Sequence, residues 1–281
     1  MEAAPAATIS ASLVVRHEEA LIERCLGSMA GVVDEIIVIH DGPCEDRTLE
    51  IAASYGARTL ELPLVGHAER HRVVTYDQAT SDWILRLDAD EYLSGELRAQ
   101  LRSLVERTDV NGYSFVWPIW DGQTYLTTDG PHRLALFRRR ALHFVGHVQS
   151  IEQVDEPVLA SSLRLEHQPA YNNYTLRTMR TKWRRWAQIN AREYLTPLDE
   201  FPSFNVPRPL RWPARRRLLN ALSPLVLPLY PFAIFAVGTR ANLARFGGRQ
   251  AARFALHATI YSTLVQFYVA KYRYVDRRWR R

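Results

Sequence analysis

The sequence predicts an α/β protein with a mostly parallel sheet flanked by helices, followed by a helical segment at its C-terminal end. Short apolar runs alternate with amphipathic runs up to Asp88. This alternation is typical of parallel strands joined by right-handed crossovers. Acidic residues follow two of the apolar runs, at Asp41 and Asp88, and two more apolar runs lie between arginine clusters beyond Pro213.

The first half of the chain contains four predicted strands with a helix between each pair. The strands are predicted at 9–15, at 35–40, over ARTLEL and over DWILRL. The first helix, at 18–31, has one apolar face formed by Leu21, Ile22, Cys25, Leu26 and Met29. A second helix at about 47–55 has Asp46 as its candidate N-cap, and HAERHRVVTYDQAT predicts the third.

The residues that follow predict a mixed or antiparallel part of the sheet. GELRAQLRSLVERT is an amphipathic helix, and three segments rich in β-branched and aromatic residues follow it as strands: NGYSFVWPIWDG, HRLALFRRR and VLASSLRLEH. A long basic helix is predicted at 171–195. We therefore expect one α/β domain at 1–195, a proline-rich linker at 196–213, and a basic, apolar helical segment at 214–281.

The chain is basic overall. It has 281 residues, a net charge of +6 and an isoelectric point of about 9.5. This balance indicates an anionic partner, such as a phosphate-bearing ligand, an anionic membrane or a nucleic acid. Cys25 and Cys44 provide neither a disulfide framework nor a metal-ligand spacing. The N-terminal residues MEAAPAATIS lack the basic start and apolar core of a signal peptide, so we expect this part to stay in the cytosol.

The C-terminal segment carries one apolar run at 218–239 and a second at 254–270. The first run is uncharged and long enough to span a bilayer, but Pro224, Pro228 and Pro231 would kink or break a helix there. Arginines flank both runs on each side, and basic flanks favour the cytosolic side and anionic lipid. We expect a monotopic or re-entrant helix pair on the cytosolic face; the alternative is a buried helical hairpin.

A cluster of acids follows the predicted strand DWILRL. Asp88 and Asp90 stand just past the strand end, where ligands bind in open parallel sheets. Two such carboxylates can converge on a hard divalent ion, Mg²⁺ or Mn²⁺, that also binds a diphosphate. The alternative is a solvated turn or a helix N-cap. The strand before the acids, and Asp41 at a second strand end, favour the metal site.

Four segments, in their order and spacing, resemble the family 2 glycosyltransferases: SLVVRHEEALIERCLGSM, VDEIIVIHDG, AERHRVV and DWILRLDADEYL. The resemblance implies a GT-A fold, with a nucleotide-sugar half at about 9–95 and an acceptor half at about 96–195. It is nearest to bacterial transferases of cell-envelope and lipopolysaccharide-core assembly.

The resemblance also implies roles for individual residues and a divalent metal cofactor, Mn²⁺ or Mg²⁺. Val15 and Glu18 would line the nucleotide base pocket, and Asp41 would bind the base or ribose. Arg70 would approach the phosphates or sugar. Asp88 would lie near the ribose and metal, and Asp90 would bind the metal. Without the resemblance, Glu18 would be a first-turn helix acid, Arg70 a surface residue and Asp41 a turn former.

The chain departs from the family pattern at positions that matter for chemistry. His17 and His71 stand where relatives usually or often have Asn, and GHVQS stands where many carry His-Glu after Gly-x-Val. An inverting transferase needs a base to accept the proton of the attacking hydroxyl. With the usual carboxylate missing, Asp129 and Glu152 are the candidate catalytic residues, and each is also explained as a plain surface acid.

Several other side chains are candidates for ligand contacts. His147 or His167 could add a contact to a metal or a phosphate, although a lone histidine is more often structural. The aromatic residues after the acids could stack on an acceptor sugar or pack in a core; they are Trp117, Trp120 and Tyr125.

We therefore expect a metal-dependent, inverting glycosyltransferase that moves a sugar from a nucleotide-diphosphate donor to a lipid-linked or cell-envelope glycan acceptor. It would act at the cytoplasmic face of the cell membrane as a peripheral or monotopic protein, with an anionic membrane surface as a partner and no nucleic acid. One alternative is a non-catalytic nucleotide-sugar-binding scaffold, because of GHVQS. Another is a haloacid-dehalogenase-type phosphatase with Asp88 as nucleophile and Asp90 as general acid, which Glu91 disfavours.

Overall fold

The structure is a computed structural model that describes residues 6–170, 175–243 and 248–276. Within these residues the chain divides into two compact units. As far as they are described, unit 1 comprises Met1–Asn172 with Pro202–Val206, and unit 2 comprises Asn173–Phe201 with Pro207–Arg281.

Unit 1 combines two sheets with α-helices. Its strands are β1 (Ile9–Val15), β2 (Glu35–Asp41), β3 (Arg58–Leu62), β4 (Trp83–Leu87), β5 (Glu91–Leu93), β6 (Gly112–Val116), β7 (His132–Arg138), β8 (Leu142–Val145), β9 (Gln153–Val154), β10 (Val158–His167) and β11 (Ser203–Phe204). Its helices are α1 (Ile22–Met29), α2 (Thr48–Ser54), α3 (Glu69–Gln78) and α4 (Gly95–Glu106), with a 3₁₀ turn at Arg139–Ala141. The strands and helices predicted up to Asp88 are all present, and the helices are shorter than predicted.

The large sheet has eight strands in the order β3-β2-β1-β4-β7-β6-β10-β5. The pairs β3-β2, β2-β1 and β1-β4 are parallel, and so is β6-β10. Strand β7 runs antiparallel to both β4 and β6, and β5 runs antiparallel to β10. A second sheet has the order β11-β8-β9. The predicted α/β fold, with a parallel first part and a mixed second part, is confirmed.

The register of the parallel strands brings their carboxyl ends to one edge. Val15 of β1 lies opposite His40 of β2, and Leu13 of β1 lies opposite Leu87 of β4. The loops that follow these three strands therefore emerge side by side. The predicted acids Asp41 and Asp88 stand at the ends of two of these strands, so this edge is the candidate functional site.

Helices cover both faces of the large sheet, which explains its apolar strands. Leu85 of β4 packs in a cluster with residues of α1 and α4, whereas its neighbour Ile84 packs in a second cluster with Tyr76 of α3. All seven residues of β1 are buried. Each fully buried large aliphatic side chain contributes about 1.5–3 kcal/mol, and Leu85→Ala would cost about 2–5 kcal/mol through the cavity it leaves.

Unit 2 is helical. Its elements are α5 (Leu176–Thr178), a π-helical segment (Met179–Trp183), α6 (Arg184–Leu195), a 3₁₀ turn (Leu198–Glu200), α7 (Ala214–Ala221), α8 (Ser223–Val226), α9 (Tyr230–Leu243), α10 (Gly248–Ala270) and a second π-helical segment (Lys271–Val275). Ala187 and Ala191 of α6 are fully buried in a cluster with Val265 and Val269 of α10. Their small side chains let the two helices approach closely.

The two units do not follow the domain limits predicted from the sequence. Helix α6 was expected to end the α/β domain at 195, but it groups with the C-terminal helices because its alanines pack against α10. Residues 203–204, expected in the linker, form β11 and pair with β8 in unit 1. The start of the predicted basic helix, at 171–174, lies outside the described residues.

The uncharged run at 218–239 forms separate helical pieces. Helix α7 ends at Ala221, α8 has Pro224 in its first turn, and Pro228 lies between α8 and α9. Proline is accepted in a first turn but breaks a helix interior, so these breaks are the expected ones. Across the described part of the chain, no helix is both long enough and apolar enough to cross a membrane.

Candidate active site

The turn after β4 is held in place by its third acid. Glu91 is fully buried, and its Oε2 atom accepts a 2.9 Å hydrogen bond from the backbone N–H of Asp88. Its Oε1 atom accepts a 2.6 Å hydrogen bond from the indole N–H of Trp117. The backbone N–H of Glu91 donates to the carbonyl of Asp88 at 3.0 Å. Glu91 is thus a structural acid that fixes the turn carrying Asp88 and Asp90.

Asp88 is bound by two arginines from distant parts of the chain. Arg72 of α3 donates to its Oδ1 atom at 2.5 Å, and Arg133 of β7 donates to its Oδ2 atom at 2.7 Å. Burial by itself would raise the pKa of this carboxyl, but Arg133, Arg72 and Arg86 outweigh burial and hold the pKa well below its usual value. Asp88 is therefore ionised, with both oxygens engaged.

Asp90 has a more open carboxylate than Asp88 has. Its side chain is partly exposed, and its Oδ2 atom lies 3.5 Å from Nε2 of His167, the last residue of β10. The His167 ring stacks on Trp117 with 4.0 Å between centroids. The backbone N–H of Gln168 donates to the Asp90 carbonyl at 2.9 Å, which ties the end of β10 to the turn.

These residues fit a divalent cation at Asp90 better than at Asp88. A carboxylate oxygen and an imidazole nitrogen are both ligands that Mn²⁺ accepts. The Nδ1 atom of His167 is buried and has no hydrogen-bond partner among the described residues, so its ring can turn Nε2 toward a cation without losing a hydrogen bond. Asp88 would have to release an arginine to coordinate directly. The role of Asp88 and Asp90 as a pair of metal ligands stays a prediction; in this structure Asp90 lies beside His167, and Asp88 is engaged by two arginines.

Glu152, a candidate base, lies inside the protein. Its Oε1 atom accepts a 2.7 Å hydrogen bond from the hydroxyl of Tyr76, and the Nε atom of Arg86 lies 3.4 Å away. Burial would raise its pKa, but Arg86 and Arg72 outweigh burial and lower it. A buried carboxylate that stays ionised between arginines is a weak proton acceptor, so this environment is that of a structural acid.

Asp129, the other candidate base, is exposed in the loop between β6 and β7. The GHVQS segment, where relatives often carry the base, packs against the first turns of α3. The backbone N–H of Gln149 donates to Glu69 at 2.9 Å. A Cβ atom on Gly146 would lie 2.9 Å from Val73 Cγ2. The roles of Asp129 and Glu152 as bases stay predictions.

Asp41 shapes a loop in this structure. Its Oδ1 and Oδ2 atoms accept hydrogen bonds from the backbone N–H groups of Val65, at 2.6 Å, and Gly66, at 2.7 Å. Nε2 of His71 lies 3.0 Å from Oδ1. Burial would raise the pKa of Asp41, but His71 and the two N–H groups outweigh burial and lower it. A hydrogen bond from Asp41 to the donor would require it to give up one of these contacts, so that role stays a prediction.

The other residues predicted on the donor side surround the same edge. Val15 is the last residue of β1 and is buried. The backbone N–H of Glu18 donates to Thr48 Oγ1 at 2.7 Å, joining the loop after β1 to α2. Arg70 is half-buried in the first turn of α3, beside Gly146. The structure thus places these residues at the end of a strand or in the loops and turns beyond the strand ends, and their contacts with a donor stay predictions.

Sequence comparison decides the family. The profile described as Glycosyl transferase family 2 matches residues 10–161, more than half of the chain. This chain belongs to glycosyl transferase family 2. The haloacid-dehalogenase-type phosphatases are a different family, so this membership disfavours the phosphatase alternative.

Relatives of this family 2 transferase match its N-terminal part. An uncharacterized glycosyltransferase of Rickettsia bellii is 34% identical over 105 residues, covering 37% of this chain and 35% of the relative. A TPR repeat-containing protein of Synechococcus elongatus is 38% identical over 108 residues, covering 38% of this chain and 27% of the relative. The chain thus spans about a third of the length of these relatives.

Solved structures also resemble part of this family 2 transferase. One is glucosyl-3-phosphoglycerate synthase from Mycobacterium tuberculosis, in complex with Mn²⁺, uridine-diphosphate-glucose and phosphoglyceric acid. It is 22% identical, has a TM-score of 0.33, and the similarity covers 40% of this chain and 44% of that one.

Sequence reasoning missed the arginines of the family 2 site. Arg72 and Arg133 contact Asp88, and Arg86 lies beside Glu152. One signal was available for Arg86, because a charged residue inside the apolar strand WILRL must find a buried partner. Nothing local in the sequence pairs Arg133 with Asp88, since the two residues are 45 positions apart.

Proposed function

We propose that this protein is a metal-dependent, inverting glycosyltransferase that uses a nucleotide-diphosphate sugar as donor. The observation that carries the proposal is the Asp90–His167 pair beside Trp117, on a turn fixed by Glu91 at the carboxyl end of β4. In an open parallel sheet this edge is where a ligand has access to loops from several strands. Family membership supplies the reaction class.

Asp90 and His167 would hold the divalent ion, Mn²⁺ or Mg²⁺. When bound, such an ion neutralises charge that develops on a departing diphosphate. Arg72 and Arg133 hold Asp88 in one orientation and offset its charge, so that Asp90 is the acid left to face the ligand. The ring of Trp117 stacks on the ring of His167 at 4.0 Å, so Trp117 holds the imidazole in place beside Asp90.

The transfer also needs a proton acceptor. The acceptor hydroxyl oxygen forms a bond to the anomeric carbon, the bond from that carbon to the diphosphate oxygen breaks, and the hydroxyl proton passes to a base. Asp129 suits this role better than Glu152, because Asp129 is exposed and its loop leads into Arg133, whose guanidinium contacts Asp88. Glu152 is buried and held by Tyr76 and Arg86.

We further propose that the acceptor is lipid-linked, or a cell-envelope glycan, reached from the cytoplasmic face of the membrane. Unit 2 supports this proposal by its large exposed apolar side chains: Leu218, Leu222, Leu225, Leu229, Phe232, Phe235 and Val237. A cavity of about 750 Å³ is lined mostly by apolar residues of α7, α8 and α9, together with Arg215 and Arg216. Apolar walls with basic residues suit an anionic amphiphile.

A second candidate function is a non-catalytic scaffold that binds a nucleotide sugar. It is favoured by Gln149 and Ser150 at the place where relatives often carry the base. The scaffold would bind the donor, but it would neither transfer the sugar nor slowly hydrolyse the donor.

The test is a thermal-shift panel on the purified full chain with UDP-, GDP-, CMP- and dTDP-sugars, with and without Mn²⁺. We expect a Mn²⁺-dependent shift with one nucleotide that is lost in Asp90→Ala and weakened in His167→Gln. Asp109→Asn is the matched control, because Asp109 is an exposed acid paired only with its neighbour Arg107 among the described contacts. A flat panel on folded protein would overturn the proposal, and donor binding without donor hydrolysis would favour the scaffold.

A further inference from the structure

A second set of metal-binding side chain types lies at the carboxyl ends of β1 and β2. His17 follows β1, His40 is near the end of β2, and Asp46 lies in the loop before α2. One ligand atom from each residue lies within 4.8 Å of the others. Nδ1 of His17 is 3.9 Å from Oδ1 of Asp46. These residues are separate from Asp90 and His167, and nothing in the proposed transfer uses them.

The hydrogen bonds of His40 orient its ring and set its tautomer as a metal ligand requires. The residue is fully buried, and its Nδ1 atom lies 2.7 Å from the carbonyl oxygen of Gly42. A carbonyl can only accept, so Nδ1 carries the proton and Nε2 carries the lone pair. Metal-binding histidines generally hold their second nitrogen to a carbonyl or carboxylate in this way. Here Nε2 accepts the backbone N–H of His17 at 3.1 Å, which a metal would have to replace.

His17 is the part of the cluster that can move. It lies outside helices and strands, is exposed, and has a φ of 53°, in the left-handed region that non-glycine residues seldom occupy. A turn of this backbone would release His40 Nε2 and carry the His17 ring inward. Such conformations occur often at ligand sites.

Asp46 is a fixed carboxylate. Its Oδ1 atom accepts hydrogen bonds from Thr48 N, at 3.1 Å, and Cys44 Sγ, at 3.4 Å. Glu19 N donates to its Oδ2 atom at 3.4 Å. These hydrogen bonds fix the orientation of the carboxylate toward His17.

We propose that His17, His40 and Asp46 form a binding site for one divalent transition-metal ion, with Zn²⁺ the ion that fits best. Two imidazoles and one carboxylate are a ligand set typical of zinc sites that leave a fourth position open. Imidazole-rich sites favour zinc and its neighbours, whereas carboxylate and water suit Mg²⁺. This cluster has two imidazoles and the Asp90 site has one, so zinc is favoured more strongly at the cluster.

Binding requires a small contraction of the cluster. Zinc bonds of about 2.0–2.2 Å place tetrahedral ligand atoms about 3.3 Å apart. His17 Nδ1 and Asp46 Oδ1 are 3.9 Å apart, so a shift of the exposed His17 ring suffices for that pair. The rings of His17 and His40 make an edge-to-face contact with 5.1 Å between centroids, which is a second explanation for their proximity. The experiment must separate these two explanations.

The test is calorimetric titration of chelator-treated full-length protein with ZnCl₂, using wild type, His17→Asn, Asp46→Asn, Asp90→Asn and His143→Asn. Asn is the residue that relatives usually have at position 17, so His17→Asn is expected to fold, and circular dichroism checks this. His143 is the matched control, because its Nε2 atom lies 3.1 Å from Asp155 in an exposed His–Asp pair elsewhere in unit 1.

We expect one zinc ion per wild-type chain, with affinity lowered at least roughly tenfold in His17→Asn and Asp46→Asn, by comparison with the loss that even indirect ligand partners cause. His143→Asn should bind zinc as wild type does, and Asp90→Asn removes any zinc held at the Asp90–His167 site. No zinc binding by wild type would overturn the proposal, and so would equal affinity in His17→Asn. Neither outcome would bear on the proposed donor site, because the nucleotide-sugar panel with Asp90→Ala tests that site independently.

Discussion

Asp88 and Glu91 are joined by a 2.9 Å hydrogen bond, yet their pKa values move in opposite directions. At Glu91 burial is the largest influence and raises the pKa, despite the 2.8 Å contact with Arg133. At Asp88 burial also acts to raise the pKa, but the arginines outweigh it. Glu91 therefore fixes the turn through its hydrogen bonds, whereas Asp88 is the acid whose ionised form is stabilised.

Removing the carboxylate of Glu91 should lower the free energy of unfolding. Glu91→Ala leaves the Trp117 indole and the Asp88 backbone N–H without their acceptor, and leaves Arg133 with one partner fewer. Breaking a buried ion pair from one side costs about 3–5 kcal/mol. We expect a loss of that size in the free energy of unfolding, measured by urea denaturation. Glu106→Ala, at an exposed helix position, should change stability by no more than about 0.5 kcal/mol.

Acidification should destabilise the protein partly through Asp88. A carboxyl whose pKa is lower in the folded state stabilises the fold above its unfolded pKa of about 3.9, and this contribution is lost as pH falls toward the folded value. The pKa of Asp88 is lowered, so Asp88 makes this contribution. The pKa of Glu91 is raised, so its contribution to stability is instead lost as pH rises.

We therefore expect Asp88→Asn to be less stable than wild type at pH 7 and to lose less stability between pH 5 and pH 2. Urea denaturation at a series of pH values measures both quantities. Parallel pH profiles for the two proteins would contradict the charge pairing of Asp88 with Arg72 and Arg133.

Position 146 should tolerate only glycine. A Cβ there would lie 2.9 Å from Val73 Cγ2 and 3.1 Å from both Arg70 Cα and Glu69 O, and backbone atoms cannot move aside cheaply. Gly146→Ala should cost about 1–3 kcal/mol, the usual cost of overpacking. Gly95→Ala is the control, because a Cβ at Gly95 meets nothing within 4 Å and alanine favours a helix by about 0.5–1 kcal/mol. Equal stability of the two variants would show that GHVQS does not pack on α3 as described.

The exposed leucines of unit 2 should contribute to membrane binding. We expect the full chain to sediment with vesicles containing anionic lipid, and Leu225→Ser with Leu229→Ser to reduce the bound fraction severalfold. Each of these side chains is more than two thirds exposed, at 76% and 72%. Ile151→Ser is the control, because Ile151 is also 76% exposed but belongs to unit 1. A similar loss in the control would argue against a specific apolar surface.

The sequence allowed prediction of those features that depend on local pattern. The strands up to Asp88, the apolar face of α1 and the acids at a strand end follow from periodicity and turn chemistry. The partners of those acids do not, because Arg133 reaches Asp88 only through the pairing of β7 with β4. The contacts of Asp41 could not be predicted either. Its carboxylate accepts hydrogen bonds from the backbone N–H groups of Val65 and Gly66, and no residue type in that loop indicates this.

The strand order of the large sheet limits which parts of this chain can be separated or exchanged. Strand β7 lies between β4 and β6, and β5 crosses to the far edge to pair with β10. The predicted donor and acceptor halves thus contribute strands to one sheet, and an arginine from the later half contacts Asp88 in the acid turn. A fragment that stops after the acids would carry the motif without its counter-charge. Chimaeras that exchange donor specificity between relatives should therefore replace loops and keep the sheet intact.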